Sequence, residues 1–553
     1  MRNTNPRRAT GGASRTGHAR LVLGDFAVDR RMLVITALAL PVGALAGVAA
    51  FVLLRLIGLV TNLVFFGRVD TALVAPSAAH APWWIILFAP VLGGLIVGVM
   101  ARFGSEKIRG HGMPEAIEAI LTGGSRVSPK VTVLKPISAA VSIGTGGPFG
   151  AEGPIIMTGG ALGSLLAQLL KLTADERKTL LVAGAAAGMA ATFNSPLASV
   201  LLAVELLLFE WRPRSFVPVV AAVSVATMVR GVLLGTGPVF PVDASHLHLS
   251  PLVCGIAAAV GLTGGLLAVG ATWLVYKAED GFTKLPIHWM WWPAIGGLII
   301  GAGGLIEPQA LGVGYDVIDQ LLTGRATMSL ILGILVVKTL IWSLSLGSGT
   351  SGGVLAPMFM VGGALGALEG TVLPDVMPGF WAMCGLAAVL GGVMRSPLTG
   401  TVFTLELTHA WNALPALLLS ATAAYALSVL VLKRSVLTEK IARRGLHLTR
   451  EYSTDPLETF FVRDVMHPIP NDDVPVGDRF AVRGQLTVRA LAYLFAENGC
   501  TEADVLDADG TVIGRVGIAD LLQPRLHDLT EEHHRSRTLG FRTASTEGDP
   551  API

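Results

Sequence analysis

Gly144-Thr145-Gly146-Gly147-Pro148-Phe149-Gly150-Ala151-Glu152-Gly153-Pro154 is the stretch whose reading decides the fold. It is mostly glycine and proline and carries one acid. It runs directly into the apolar segment Ile155-Ile156-Met157-Thr158-Gly159-Gly160-Ala161-Leu162. Glycines let a backbone leave helical geometry and approach a ligand closely. Pro154 suits the first turn of a helix, where its missing N–H is no loss. The pattern predicts a helix broken inside a membrane. The new helix start would point free N–H groups and partial positive charge at whatever lies in front of it. Irregular backbone survives at membrane depth only where it is buried in protein or lines a cavity. Glu152 stands at the break, and an intramembrane carboxylate is costly enough to mark a functional position. The competing reading is an acid that merely caps the helix start.

Composition places the chain in a bilayer. Of its 553 residues, 52% are hydrophobic and 14% charged, and the mean hydropathy is +0.63. A soluble domain carries about 25% charged residues. The 66 glycines suit close approach of helices in lipid. A net charge of +2 gives no reason to expect nucleic acid as a partner. Cys254, Cys384 and Cys500 lie far apart and form no CxxC, zinc spacing or disulfide framework. A membrane enzyme acting on lipid or prenyl substrates would show an acid cluster or HExxH, and neither is present. No catalytic residue, metal site or resident cofactor is therefore expected. Residues 1–32 hold arginines at 2, 7, 8, 15, 20, 30 and 31. They lack the layout of a cleaved signal peptide and read as a basic cytoplasmic tail.

Leu33 to Phe66 is long enough for one tilted span, or for a span plus a re-entry. Pro82 to Phe103 is a second span, with Trp83 and Trp84 as interface anchors. Apolar segments continue to about Leu432. Ile155 to Leu170, Leu180 to Phe193, Leu197 to Leu208 and Leu398 to Leu407 are too short to cross alone. Short apolar helices separated by Gly and Pro are the sign of half-spanning helices around a midplane site. An internal repeat supports this. Ser142 to Leu165 lies on Ser345 to Leu368 without gaps at a shift of 203, with twelve of twenty-four positions identical. Chance would give roughly two or three. The repeat continues as Ile117 to Gly123 against Ile318 to Gly324. It continues again as Ser195-Pro196-Leu197 with Glu205-Leu206 against Ser396-Pro397-Leu398 with Glu406-Leu407. The halves span about 33–245 and 246–447.

Beyond Lys433, the basic run to Arg444 reads as a cytoplasmic membrane exit. Residues 448–525 read as a small soluble α/β module. Leu486 to Glu497 is an amphipathic helix. Ala503 to Asp507 and Thr511 to Gly517 are strands joined by a turn at Ala508-Asp509-Gly510. Ile518 to Leu522 starts a helix. Residues 526–553 are polar and read as disordered.

These motifs resemble the CLC chloride channels and proton-coupled anion transporters. That family carries Gly-Ser-Gly-x-Pro, Gly-x-x-Gly-Pro with Glu at the third position, and Gly-x-Phe-x-Pro. Here they stand as Gly110-His111-Gly112-Met113-Pro114, Gly150-Ala151-Glu152-Gly153-Pro154 and Gly353-Val354-Leu355-Ala356-Pro357. Phe193-Asn194-Ser195-Pro196-Leu197-Ala198 and Arg395-Ser396-Pro397-Leu398-Thr399-Gly400 support the match, which runs from about 33 to 447. The tail resembles a CBS module, with Val462-Arg463-Asp464-Val465-Met466 at its head and only one recognisable unit. The resemblance implies an all-α polytopic membrane protein of two inverted repeats with broken helices, plus a cytosolic CBS-like domain. It also implies a multi-pass protein with both termini cytoplasmic, and a homodimer with one chloride pathway per subunit. Backbone N–H groups at helix starts would replace an anion's hydration without trapping it as a full Lys or Arg charge would.

The resemblance assigns roles residue by residue. Glu152 matches the gating glutamate, which leaves an anion site when protonated or displaced. His111 replaces the usual Ser ligand. It donates to the ion through its ring, or it turns away and leaves backbone amides to bind. Leu355 replaces Phe, and the inner-gate tyrosine position falls at Leu437. Family transporters carry a proton-transfer glutamate where this chain has Leu206, which favours passive conduction or another proton route. Glu205 is a relay candidate or a hydrogen-bonded structural acid. The CBS-like tail is a nucleotide site for an adenine ligand, or a dimerisation module. A fluoride exporter of the same superfamily has Asn in the first motif and a different residue after the gating Gly, where this chain has Pro154.

Overall fold

The computed structural model describes residues 30–121, 124–445, 455–469, 480–507, 509–527 and 530. The basic tail through residue 29, residues 446–454 and the polar tail from 531 lie outside the described residues, as does Ala508 of the expected turn. The described residues form two compact units, a large helical one and a smaller α/β one from Asp455 onward.

The large unit is helical throughout. In its first half, α1 (Arg31–Thr61) and α2 (Trp83–Phe103) come first. They are followed by α3 (Met113–Leu121), α4 (Pro129–Gly144), α5 (Glu152–Leu169), α6 (Ala174–Phe193), α7 (Pro196–Leu202) and α8 (Pro213–Leu234). The second half contributes α9 (Pro251–Thr283), α10 (Trp292–Ile306), α11 (Tyr315–Leu322), α12 (Met328–Gly333) and α13 (Thr339–Gly347). It ends with α14 (Leu355–Glu369), α15 (Phe380–Met394), α16 (Pro397–Thr408), α17 (Leu414–Val431) and α18 (Val436–Arg443). Seven of the described helices are long and apolar enough to cross a membrane. Leu33 to Phe66 is one continuous helix, α1 extended by a π turn to Phe66, with no re-entry. The seven spanning helices are apolar on nearly all faces, as segments surrounded by lipid and protein must be. Glycine sets the closest packing: Gly159 of α5 and Gly184 of α6 meet backbone to backbone, with no room for a Cβ on either.

The two halves are tied by exchanged carboxylates. Leu197 N and Ala198 N, at the start of α7, donate to Glu406 at 2.9 and 2.8 Å. Thr399 N and Oγ1, at the start of α16, donate to Glu205 Oε2 at 2.9 and 2.6 Å. Each helix start meets the far end of its repeat mate, so the two segments run antiparallel and a local two-fold relates them. Each cap satisfies donors that a helix start leaves open and contributes about 0.5–2 kcal/mol in water.

The small unit is a four-stranded sheet ordered β1 (His467–Pro468), β4 (Val512–Gly517), β3 (Glu502–Leu506), β2 (Ala481–Arg483). The expected helix is α21 once α19 (Pro456–Thr459) and α20 (Val462–Val465) are counted, and it spans Val488–Asn498. It crosses between the parallel strands β2 and β3, a connection that two-residue turns cannot make. The hairpin β3–β4 is antiparallel, with Ala503 opposite Val516. Ile518–Leu522 is a 3₁₀ turn. Val465, Val482, Leu491, Phe495, Val505 and Val516 fill the core.

Candidate functional site

The three Gly/Pro breaks meet in space. Gly110 N donates to Thr350 O at 3.0 Å, and Gly352 N donates to Gly110 O at 3.4 Å. Gly353 N donates to Gly150 O at 2.8 Å, with the reverse bond at 3.4 Å. Residues more than two hundred positions apart thus pair as short β-bridges, Gly110 with Ser351 and Gly150 with Gly353. Every residue of 110–114, 150–154 and 353–357 is buried. α3, α5 and α14 begin at these breaks, so three helix starts with open N–H groups share one region.

Glu152 lies in the middle of it, fully buried. Its Oε1 accepts from Ala356 N at 3.0 Å. Its Oε2 is buried without a hydrogen-bond partner among the described residues. The repeat mate of Glu152 is Leu355, so the acid of one half rests on the helix start that replaces it in the other. No lysine or arginine pairs with it among the described residues. Two glycines make the berth: a Cβ on Gly353 would lie 2.5 Å from Glu152 Oε1, and one on Gly150 would overlap the carboxylate. The arrangement is a negative charge held by a backbone amide at a helix start, a place that suits a small anion equally well.

A lysine that the sequence reading missed holds the first motif in place. Lys135 of α4 is fully buried. Its Nζ donates to Ile108 O at 2.8 Å, Gly110 O at 2.7 Å and Ser351 Oγ at 3.3 Å. Ser351 Oγ also meets Ser138 Oγ at 3.0 Å. Lys338, 203 residues on, is buried as deeply and donates to Ala310 O at 2.8 Å and Gly312 O at 2.9 Å. Gly312-Val313-Gly314 copies Gly110-His111-Gly112 in backbone, with φ of +68° and +81° against +77° and +85°. The signal was in the chain: two lysines inside apolar helices at the repeat shift. Two carbonyl oxygens and the Ser351 hydroxyl take up the donors of Lys135 Nζ.

The remaining candidates fall as follows. His111 is buried, and its Nδ1 has no partner among the described residues. Leu437 is fully buried at the start of α18. The hydroxyl near it belongs to Tyr276 of α9, which donates to Val436 O and accepts from Lys440 N at 3.1 Å. Leu206 is fully buried, and the Glu205 carboxylate is engaged as the cap of α16.

The sequence model of the family described as "Voltage gated chloride channel" matches residues 93–429. A relative from Citrobacter koseri, named voltage-gated ClC-type chloride channel ClcB, is 30% identical over 386 residues, 68% of this chain and 92% of its own. One from Salmonella arizonae, named H(+)/Cl(-) exchange transporter ClcA, is 27% identical over 473 residues, 81% of this chain and 94% of its own. Among solved structures, a slow cyanobacterial Cl-/H+ antiporter superposes with a TM-score of 0.66 at 21% identity, covering 76% of this chain and 99% of that one. A CLC-type fluoride/proton antiporter gives 0.60 at 20% identity, with 72% and 95% covered. At those identities the superpositions speak for the fold. The family match takes in all three motifs and most of both halves, and the chain, a multi-pass membrane protein, belongs to the voltage-gated chloride channel family.

Proposed function

We propose that the chain conducts chloride across the membrane along a pathway that Glu152 gates. One observation carries the reading: the Glu152 carboxylate occupies the Ala356 N–H at the start of α14, where a chloride ion would find the same donor. Protonation, or competition from an entering ion, would release the side chain and open the berth. Passive conduction is favoured because Leu206 is buried and apolar beside Glu205, whose carboxylate is engaged at α16. A second reading, proton-coupled exchange, draws on the exchange transporter among the relatives and on Glu152 as a proton carrier. In the proposed assembly two copies each hold one pathway, the basic flanks of the membrane unit face the cytoplasm, and the small C-terminal unit supports the dimer.

Purified protein in liposomes tests this with chloride, nitrate and fluoride gradients and a proton probe. Chloride is expected to run down its gradient without uphill proton movement. Proton movement in fixed ratio to chloride would replace conduction by exchange. Fluoride flux without chloride flux would overturn the choice of ion.

A further inference from the structure

Glu152 Oε2, the Tyr315 hydroxyl and Arg230 Nε are buried, and each lacks a hydrogen-bond partner among the described residues. They come from α5, α11 and α8, and they converge. α5 and α6 run antiparallel: Gly163 meets Leu180, Gly159 meets Gly184, and Gly188 meets Ile155. The Glu152 end of α5 therefore lies at the Phe193 end of α6. There the Tyr315 ring packs edge-on against Phe193, with centroids 6.3 Å apart, and against Phe240 at 5.8 Å. Two apolar rings thus fix the phenol beside the gate. Glu152 and Arg230 are the charged groups that act on its hydroxyl. Asp316, next along α11, is exposed and acts on Lys338. Arg230 is 7% exposed, and its Nη1 donates to Gly235 O, in the exposed turn 235–237. Asn194 Nδ2 donates to Thr236 O and Gly237 O at 2.9 Å, so the Phe193 end of α6 and this turn share one face of the membrane unit.

We propose that Tyr315 is the positioning residue that receives the ionised Glu152 side chain when an entering ion displaces it from Ala356 N, with Arg230 polarising the phenol from behind. The proposal deepens the gating reading above and rests on it. The donor inventory closes: a guanidinium only donates, a carboxylate only accepts, and a phenol does both. Arg230 Nε donates to the Tyr315 oxygen, and the Tyr315 hydroxyl donates to Glu152. Rotation of one side chain then pairs all three atoms, each of which is costly to leave buried and unpaired. The ion takes over the Ala356 N–H that the carboxylate gives up. Without the phenol, an ionised carboxylate leaving its berth would meet apolar rings and no donor, a strongly unfavourable state. A protonated Glu152 carries no charge and leaves without such help. The Tyr315 hydroxyl therefore serves release by competition and not release by protonation.

Chloride flux from liposomes at acid and neutral pH tests this on the full chain. Tyr315→Phe keeps the ring on Phe193 and Phe240 and removes only the hydroxyl. It is expected to lower flux at neutral pH roughly tenfold and to leave flux at acid pH as in wild type. The ratio of acid to neutral flux then rises by the same factor. Added to Glu152→Gln, the substitution is expected to change nothing further, because no charge remains to be received. Neutral-pH flux equal to wild type overturns the proposal. So does an equal fall at both pH values, or an undiminished fall in the Glu152→Gln background. If the wild-type chain carries no chloride flux, or Glu152→Gln keeps the wild-type pH dependence, the gating reading falls. Crystals of the Glu152→Gln protein in bromide then decide the landing position alone. The side chain at 152 within hydrogen-bond reach of the Tyr315 hydroxyl upholds it, and that side chain on Ala356 N or turned elsewhere overturns it.

Discussion

Replacing Glu152 by glutamine or alanine is expected to remove most of the pH and voltage dependence of anion flux. The side chain is the one acid on the α14 helix start, and it is buried without a countercharge among the described residues. On the acid side of its midpoint the ionised fraction of a carboxylate falls about tenfold per pH unit. Wild-type flux is therefore expected to rise as pH falls, because protonation removes the charge that holds the side chain on Ala356 N. The sign is fixed by this geometry: the ionised form occupies the berth and the neutral form vacates it. Voltage acts on the same charge, and moving one elementary charge across the membrane is worth about 2.3 kcal/mol per 100 mV. Glutamine lacks that charge, and alanine also lacks the chain that fills the berth. Liposome flux between acid and neutral pH, with bilayer recordings for voltage, measures both. A variant that keeps the wild-type dependence would show that Glu152 is a structural cap.

Lys135→Met is expected to abolish selective flux and destabilise the membrane unit. The substitution takes the Lys135 Nζ away from Ile108 O, Gly110 O and Ser351 Oγ; Gly110 O keeps Gly352 N and Ser351 Oγ keeps Ser138 Oγ, and Ile108 O is left without a partner among the described residues. A buried acceptor left without a partner costs about 1–3 kcal/mol, a large share of a stability of about 5–15 kcal/mol. The loss falls on the Gly110 loop, whose backbone pairs with Thr350 and Gly352, so the filter would loosen with it. Lys338→Met provides the contrast. It frees two carbonyls in a loop outside the three motifs and should lower the melting temperature while preserving the order of anion preference. Thermal unfolding in detergent and liposome flux with chloride against nitrate separate the two. Equal changes in selectivity from both variants would refute a filter-specific role for Lys135.

Much of this architecture was legible in the chain because it depends on local backbone chemistry. The break at 144–154, the helix beginning at Glu152 with Pro154 in its first turn, and the span from Leu33 to Phe66 all follow from glycine, proline and apolar run length. The repeat at a shift of 203 told in advance which segments are mates. It could not tell that Glu205 and Glu406 cross over to cap each other's helix starts, because those partners are backbone N–H groups some two hundred residues away. Lys135 showed in the chain only as a lysine inside an apolar helix at the repeat shift from Lys338. Two of its acceptors are carbonyls, which every residue has, and the third is the hydroxyl of Ser351, 216 residues on, so no motif betrays them. The pairing of Lys440 with Glu115 joins the two ends of the membrane unit and has no local signature. In the small unit, β1 and β2 are two and three residues long, below the length at which alternation can be read. The longer hairpin strands and α21 were readable from their periodicity.

Crystals of the Glu152→Gln protein grown in bromide and measured at the bromine absorption edge would locate an ion at the α14 helix start. The geometry described above predicts an anomalous peak within hydrogen-bond reach of Ala356 N, beside Gly150 and Gly353, at the position the carboxylate takes in the native chain. A map with bromide elsewhere and none at that amide, or with Ala356 N turned toward another protein group, would contradict it.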